Sequence, residues 1–222
     1  MTDFMKGVRQ ELPLALSAIP FGLILGGSLK AWNIPFLLGA STSFIIFAGS
    51  SQFIVLQMMA VGAPAVAIIF AALATNLRHI FYTLKLIPYF NRLTLPQKVS
   101  SAYLLTDECF AAVHEMEKRE PLTFPMYLGA GLTLWSVWNA STLFGYAIGN
   151  ILPASLHLEK TIDFLFLAIL ALQIQNRSTL MSALFAAFAS VMTSFLPYKM
   201  NIIIGLLFGF VAQRIWQRGR KT

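Results

Sequence analysis

Residues 35–60 read PFLLGASTSFIIFAGSSQFIVLQMMA, twenty-six positions without a charged side chain. A helix that crosses a bilayer needs about 17–25 such residues, so this stretch is long enough for a crossing. Further apolar stretches lie on both sides of it, at Leu12–Leu29, Pro64–Phe90, Tyr127–Ile148, Thr161–Gln175, Leu180–Leu196 and Asn201–Gln217. In lipid, only helices and closed barrels satisfy their own backbone groups, and these unbroken runs lack a barrel's alternation. The expected fold is an all-α integral membrane protein with seven transmembrane helices, or eight if Val99–Met116 also crosses, and with broken helices near mid-membrane.

Composition points the same way. Of the 222 residues 57% are hydrophobic and 11% charged, with a mean hydropathy of +0.71. Soluble domains carry about 25% charged residues. A chain this apolar cannot cover a globule with wettable surface, so much of its solvent is lipid. The net charge of +7 comes from basic residues in short gaps and in the tail (Arg214, Arg218, Arg220, Lys221). That placement suits a cytoplasmic membrane face and argues against a nucleic-acid partner. Seven crossings would leave about ten lysines and arginines inside and about four outside; eight would leave about nine and five. Both arrangements put the C-terminus in the cytoplasm. Lys6 and Arg9 before the run at Leu12 resemble a signal peptide, but the run is a full crossing and others follow, so it reads as a retained first helix. No gap holds a soluble domain, and residues 1–222 are read as a single transmembrane transporter domain. The lone Cys109 excludes an intrachain disulfide.

Polar residues inside apolar spans are the informative positions, because a charge at the centre of a membrane helix costs about 2.5–3.5 kcal/mol. The first cluster is Phe47-Ala48-Gly49-Ser50-Ser51-Gln52-Phe53. Small residues there serve either close helix packing or a broken helix. The free N–H groups of such a break would hold a carboxylate, and its carbonyls would face an ammonium group. The second cluster is Thr75-Asn76-Leu77-Arg78-His79 with Tyr82. It is a polar stripe that serves either a structural ion pair or a substrate contact. The third is Thr106-Asp107-Glu108 with His114. Asp107 is the natural partner for Arg78, and carboxylates and histidines are plausible proton carriers; at the interface the same residues would be a solvated face. Trp135, Trp138 and Asn139 lie mid-span, and Asp163 opens a later one. No Gly-x-Ser-x-Gly elbow, P-loop or His-Glu-x-x-His helix occurs. The chain is therefore expected not to be an enzyme and to need no metal or cofactor.

Four motifs in order, Pro20-Phe21-Gly22, Phe47–Gln52, Asn76-Leu77-Arg78-His79 with Tyr82, and Leu105-Thr106-Asp107-Glu108, resemble the AzlC family, the large subunits of bacterial branched-chain amino-acid exporters. The resemblance runs from about Gly7 to Phe210, judged by span spacing. It implies a multi-pass inner-membrane exporter of valine, leucine, isoleucine and analogues, driven by the proton gradient. It also implies a small hydrophobic AzlD-type membrane partner. On this reading Gly49, Ser50, Ser51, Gln52, Phe53 and Asn76 bind the amino acid. Arg78, His79, Asp107 and Glu108 form the ion pair or couple the proton. Two alternatives stay open: a permease subunit driven by a separate ATPase, and a membrane scaffold that transports nothing.

Overall fold

A computed structural model describes residues 1–149 and 176–218, together with Leu167 and Ile174. Apart from those two positions, the expected span Thr161–Gln175, Asp163 included, lies outside the described residues. Among the described residues there are helices and turns and no strand. The helices are α1 (Asp3–Ala31), α2 (Phe36–Ile46), α3 (Gly49–Ala60), α4 (Ala65–Asn76), α5 (Arg78–Lys85), α6 (Ile87–Phe90), α7 (Leu95–Tyr103), α8 (Asp107–Glu117), α9 (Phe124–Ile148), α10 (Arg177–Met192) and α11 (Met200–Arg218). Asp3–Leu29 and Ala65–Lys85 are long and apolar enough to cross a membrane unaided; Phe36–Ile46, Arg177–Met192 and Met200–Ile215 are apolar but shorter.

Three stretches that each read as one segment, the first with a candidate break at Phe47–Phe53, are interrupted. Residues 35–60 break at Phe47, whose backbone is left-handed (φ 34°, ψ 50°), and at Ala48. The break falls just before Gly49–Ser51 rather than within them, so those residues form the first turn of α3. Residues 64–90 are jointed at Leu77 and Leu86. Residues 99–116 are split at Leu104–Thr106, because Thr106 caps a new helix by accepting a bond from the Cys109 N–H (3.2 Å). Thr at the cap, with Asp and Glu in the first turn, is a favoured helix start.

The residues gather into two compact units, Met1–Phe53 with Asn76–Leu158, and Ile54–Thr75 with Glu159–Thr222. The second contains a small core of Met58, Ala71, Ala74 and Ile203. In it α10 and α11 run antiparallel: a Cβ on Gly205 would lie 2.8 Å from the Ala186 carbonyl, and Asn201 donates to Ser190 Oγ (3.1 Å).

The first unit is built on α1 and α9, packed in parallel along their lengths. A Cβ on Gly7 would lie 2.0 Å from the Met126 carbonyl, and one on Gly26 2.0 Å from that of Thr142. From the other side, Gly129 meets the Phe4 carbonyl and Gly145 that of Leu23 (2.2 Å each). Small residues at such a seam let backbones approach where lipid supplies no hydrophobic drive between helices. Lys6–Glu120 (2.6 Å) and Asp3–Thr123 (2.9 Å) tie the N-terminal ends.

This frame fixes the depth of everything else in the unit. α2 runs antiparallel to α9, from Phe36 beside Tyr146 to Phe44 beside Trp135. Tyr89 stacks on Tyr127 near the start of α9 (5.4 Å), and Pro88, Tyr89 and Arg92 share a cavity of about 410 Å³ with Glu117–Leu122. The chain thus enters α7 and leaves α8 at the same end of α9. Between them it reaches Tyr103 and Leu104, beside Trp135 and Gly131. The α7–α8 segment is a hairpin whose tip stands near the middle of α9; it does not run from one end of the unit to the other.

The surface completes the picture. Leu37 is 80% exposed and Ile45 75%, whereas Glu11, Ser51 and Gln52 are fully buried. Apolar outside with polar inside is the arrangement of a chain whose solvent is hydrocarbon.

Candidate functional site at the helix junction

The interruptions in the first unit meet. The end of α2 and start of α3, the joint between α4 and α5, and the tip of the α7–α8 hairpin all lie at the level of Trp135 and Trp138. Helix ends expose backbone donors and acceptors that a continuous helix would bond internally, so breaking helices at one depth concentrates polar capacity there. A left-handed Phe at the first break is uncommon for a bulky residue, which the surrounding contacts must hold in place.

Arg78 stands at the centre. Its Nη1 lies 2.8 Å from Asp107 Oδ2, and its Nη2 donates to Ser50 Oγ at 2.6 Å. The other carboxylate oxygen, Oδ1, accepts from the Tyr82 hydroxyl at 2.5 Å. Arg78 and Tyr82 are one helical turn apart on α5, so both face the first residue of α8. The positive end of the α8 dipole favours the negative charge on Asp107. The two side chains of the pair keep 35% and 37% of their surface accessible, so the pair borders open space rather than a dry core.

Beside it, Asn76 Nδ2 donates to the buried Ser51 Oγ (3.3 Å). Two atoms at this joint are buried with no partner among the described residues: the Asn76 Oδ1, an acceptor, and the Arg78 Nε, a donor. His79 Nε2 is likewise unpaired, with the ring 5.8 Å from that of Tyr82. Tyr82, Phe110 and His114 stack in a column along α8 (4.5 and 5.6 Å).

Gln52 and Phe53 are placed differently. The Gln52 amide is fully buried and held at both ends, donating to Thr42 Oγ1 (3.1 Å) and accepting from Trp138 Nε1 (3.0 Å). Phe53 is buried too. In this conformation both face protein, and Gln52 works as a brace that pins the first turn of α3 to α2 and α9. Gly49 packs under the Trp138 ring, which a Cβ would approach to 3.0 Å. A second brace hangs the hairpin tip: Trp135 Nε1 donates to the Tyr103 hydroxyl (2.8 Å), which in turn donates to the Phe44 carbonyl exposed at the end of α2. Asn139 bonds within its own helix, to the Trp135 carbonyl (2.8 Å).

The junction therefore joins Ser50, Ser51, Asn76, Arg78 and Asp107, adds Tyr82, and holds His79 at its edge. Glu108 follows Asp107 in the first turn of α8, half-buried, on a helix that packs against α1 and α9. Glu11 carries no signal in the sequence because it precedes the apolar run at Leu12 by one residue, where a carboxylate is ordinarily at the headgroups. The Tyr103 brace was equally hidden, since a tyrosine in a short amphipathic stretch carries no signal of its partner.

Residues 13–152 match the profile of the AzlC protein family. The Escherichia coli K12 protein named inner membrane protein YgaZ is 28% identical over 226 aligned residues, covering 96% of this chain and 92% of that protein. An uncharacterized membrane protein of Archaeoglobus fulgidus is 28% identical over 178 residues, 78% of this chain and 77% of its own. One from Helicobacter pylori 26695 is 24% identical over 155 residues, 68% of each chain. No solved structure matches.

Proposed function

The chain belongs to the AzlC family, and from that premise we propose that it is the large subunit of an inner-membrane exporter of branched-chain amino acids, driven by the proton gradient. The coarser part of that statement, a helical membrane protein with a transport-related role, follows from the family and from relatives named as membrane proteins. In the finer reading the protein is multi-pass, keeps its C-terminus in the cytoplasm and works with a small hydrophobic AzlD-type subunit.

The observation that carries the substrate class is the pair of unpartnered atoms at the α4–α5 joint. An amino acid presents one carboxylate and one ammonium group. The site offers one spare donor, Arg78 Nε, and one spare acceptor, Asn76 Oδ1. The first-turn amides of α3 and the Ser50 and Ser51 hydroxyls lie alongside them and suit the carboxylate. Asp107 suits the ammonium group. A zwitterion bound here would complete hydrogen bonds that are unmade without it, which is how a buried polar site favours its ligand. The aliphatic side chain would lie toward the apolar neighbours Phe47 and Trp138.

Alternating access has a natural moving part on this reading. The α7–α8 hairpin contributes Asp107 and is attached at its tip by Tyr103; breaking the Arg78–Asp107 contact and the Tyr103 bonds to Phe44 and Trp135 would loosen that tip. Discontinuous helices that meet at a substrate are a common transporter device.

The test is transport of labelled valine in proteoliposomes containing the chain and its candidate small partner. Counterflow of valine, accelerated by an imposed pH gradient and independent of ATP, is expected. Valine flux that ignores the pH gradient and requires ATP on one face would replace this reading with an ATPase-driven permease.

A further inference from the structure

Glu11 is the most deeply buried charged residue in the first unit that the junction does not use. Its side chain is fully inaccessible, and neither carboxylate oxygen has a hydrogen-bond partner among the described residues. It sits on α1, which packs against α8, α9 and α2. Gly7, one turn before it, meets the backbone at Met126 and Ala130, and Gly131 meets Leu104, so Glu11 lies near the level of the hairpin tip. The titratable groups on the packed helices at that level are Glu108 and the buried Cys109 thiol in the first turn of α8 and the buried Tyr127 phenol on α9. α2 carries no titratable residue. The nearest cations in sequence are engaged or outside: Lys6 pairs with Asp3 and Glu120, and Arg9 is exposed. Asp107, next to Glu108, is committed to Arg78 and Tyr82.

A dry, unpartnered carboxylate is too costly to keep charged; such a group takes up a proton instead. A second carboxylate on the neighbouring helix adds repulsion that a proton on Glu11 removes. We infer that Glu11 holds the transported proton where α1 packs against α8, the helix that carries Glu108 and Asp107; this rests on the proton-driven reading above. The position explains how a proton would act on the substrate. Glu108 and Asp107 are adjacent in the first turn of α8, and Asp107 pairs with Arg78. Loss of the proton would leave a bare charge on Glu11 beside the helix that carries Glu108, and the repulsion would push α8 from α1 and so move Asp107 at the amino-acid site. Binding at one face of the hairpin tip and protonation at the other bias the same element, which is what coupling requires.

Glu11→Gln keeps the shape and removes the titratable proton. In proteoliposomes of the full chain with its partner, valine counterflow is expected to stay near the unaltered rate. Accumulation driven by a pH gradient is expected to fall by about tenfold or more, within the usual span of coupling factors. Glu11→Asp, which keeps an acid, should retain gradient response. Gradient-driven accumulation that is equal in the Gln and Asp variants overturns the inference. An independent reading comes from infrared spectra of the unaltered protein at neutral pH. The inference expects a protonated-carboxyl band that shifts in D2O and vanishes in Glu11→Gln; a spectrum unchanged by the substitution overturns it without any transport assay. A protein that shows the band yet ignores a pH gradient would refute proton-driven export instead, so the two failures are distinct.

Discussion

The α1–α9 seam and the helix junction lie side by side in one unit and are built on opposite principles. The seam is backbone against backbone. Its glycines leave no room for a methyl group, its helices are long, and polar side chains tie it only at its N-terminal end. The junction consists of helix ends held apart by side chains: Arg78, Gln52, Trp138 and Tyr103 span gaps where helices stop. Rigidity comes from the seam, and the capacity to rearrange comes from the junction, because side-chain bonds can be exchanged one at a time whereas a close-packed backbone cannot yield gradually.

Glycine substitutions probe that difference most strongly. A Cβ at Gly26 meets a backbone carbonyl at 2.0 Å, which can move only with its helix; at Gly49 it meets the edge of the Trp138 ring at 3.0 Å, which can tilt. Gly26→Ala is expected to cost about 3 kcal/mol, at the upper end for overpacking, and Gly49→Ala about 1 kcal/mol. Thermal unfolding of the purified protein in detergent would measure both. Equal effects would mean that the seam has no special rigidity.

The ion pair comes next. Arg78→Ala leaves Asp107 without its cation, and Asp107→Ala does the converse. Both side chains are about a third exposed, so the penalty should fall below the 3–5 kcal/mol typical of a fully buried pair. A coupling of about 1–2 kcal/mol is expected, with Arg78→Ala alone more damaging than the double substitution. Additive losses in that cycle would remove the pair as a latch on the hairpin.

Much of the seam was legible in the sequence, and less of the junction. The apolar runs at 12–29 and 127–148 lie within α1 and α9, although α1 begins at Asp3, ahead of its apolar run. The joints of 64–90 at Leu77 and Leu86 fall beside polar or breaking residues, Asn76 and Arg78 at the first and Lys85 and Pro88 at the second, yet these read as a polar stripe on one helix because neither glycine nor serine marks a break. The break in 35–60 was signalled by Gly49-Ser50-Ser51 but displaced. Serine and glycine there begin the new helix, and the turn itself falls on Phe47, a residue whose type argues against it. Thr106-Asp107-Glu108 carried a readable start signal, yet the segment 99–116 read as one helix because its charges drew attention to side chains over backbone. Pairings across the unit, such as Gln52 with Thr42 and Trp138, depend on tertiary approach and leave no local pattern.

The smallest expected effects separate the two uses of the junction. Tyr82→Phe and Ser50→Ala each remove one hydrogen bond from the Arg78–Asp107 pair, from opposite ends. As structural losses they should be alike, about 1 kcal/mol or less, since each leaves the salt bridge itself in place. Their consequences for valine should differ. Tyr82 touches only the carboxylate side and supports the hairpin, so Tyr82→Phe should lower the unfolding temperature slightly and leave the half-saturation for counterflow unchanged. Ser50 lies in the first turn of α3, where the substrate carboxylate is proposed to bind. Ser50→Ala should therefore weaken half-saturation by about tenfold or more, in line with a lost hydrogen bond to a charged group of about 1.5 kcal/mol or more, at nearly the same stability. If the two variants shift valine affinity equally, the first turn of α3 is no more a binding surface than the hairpin is, and the junction would be a latch alone.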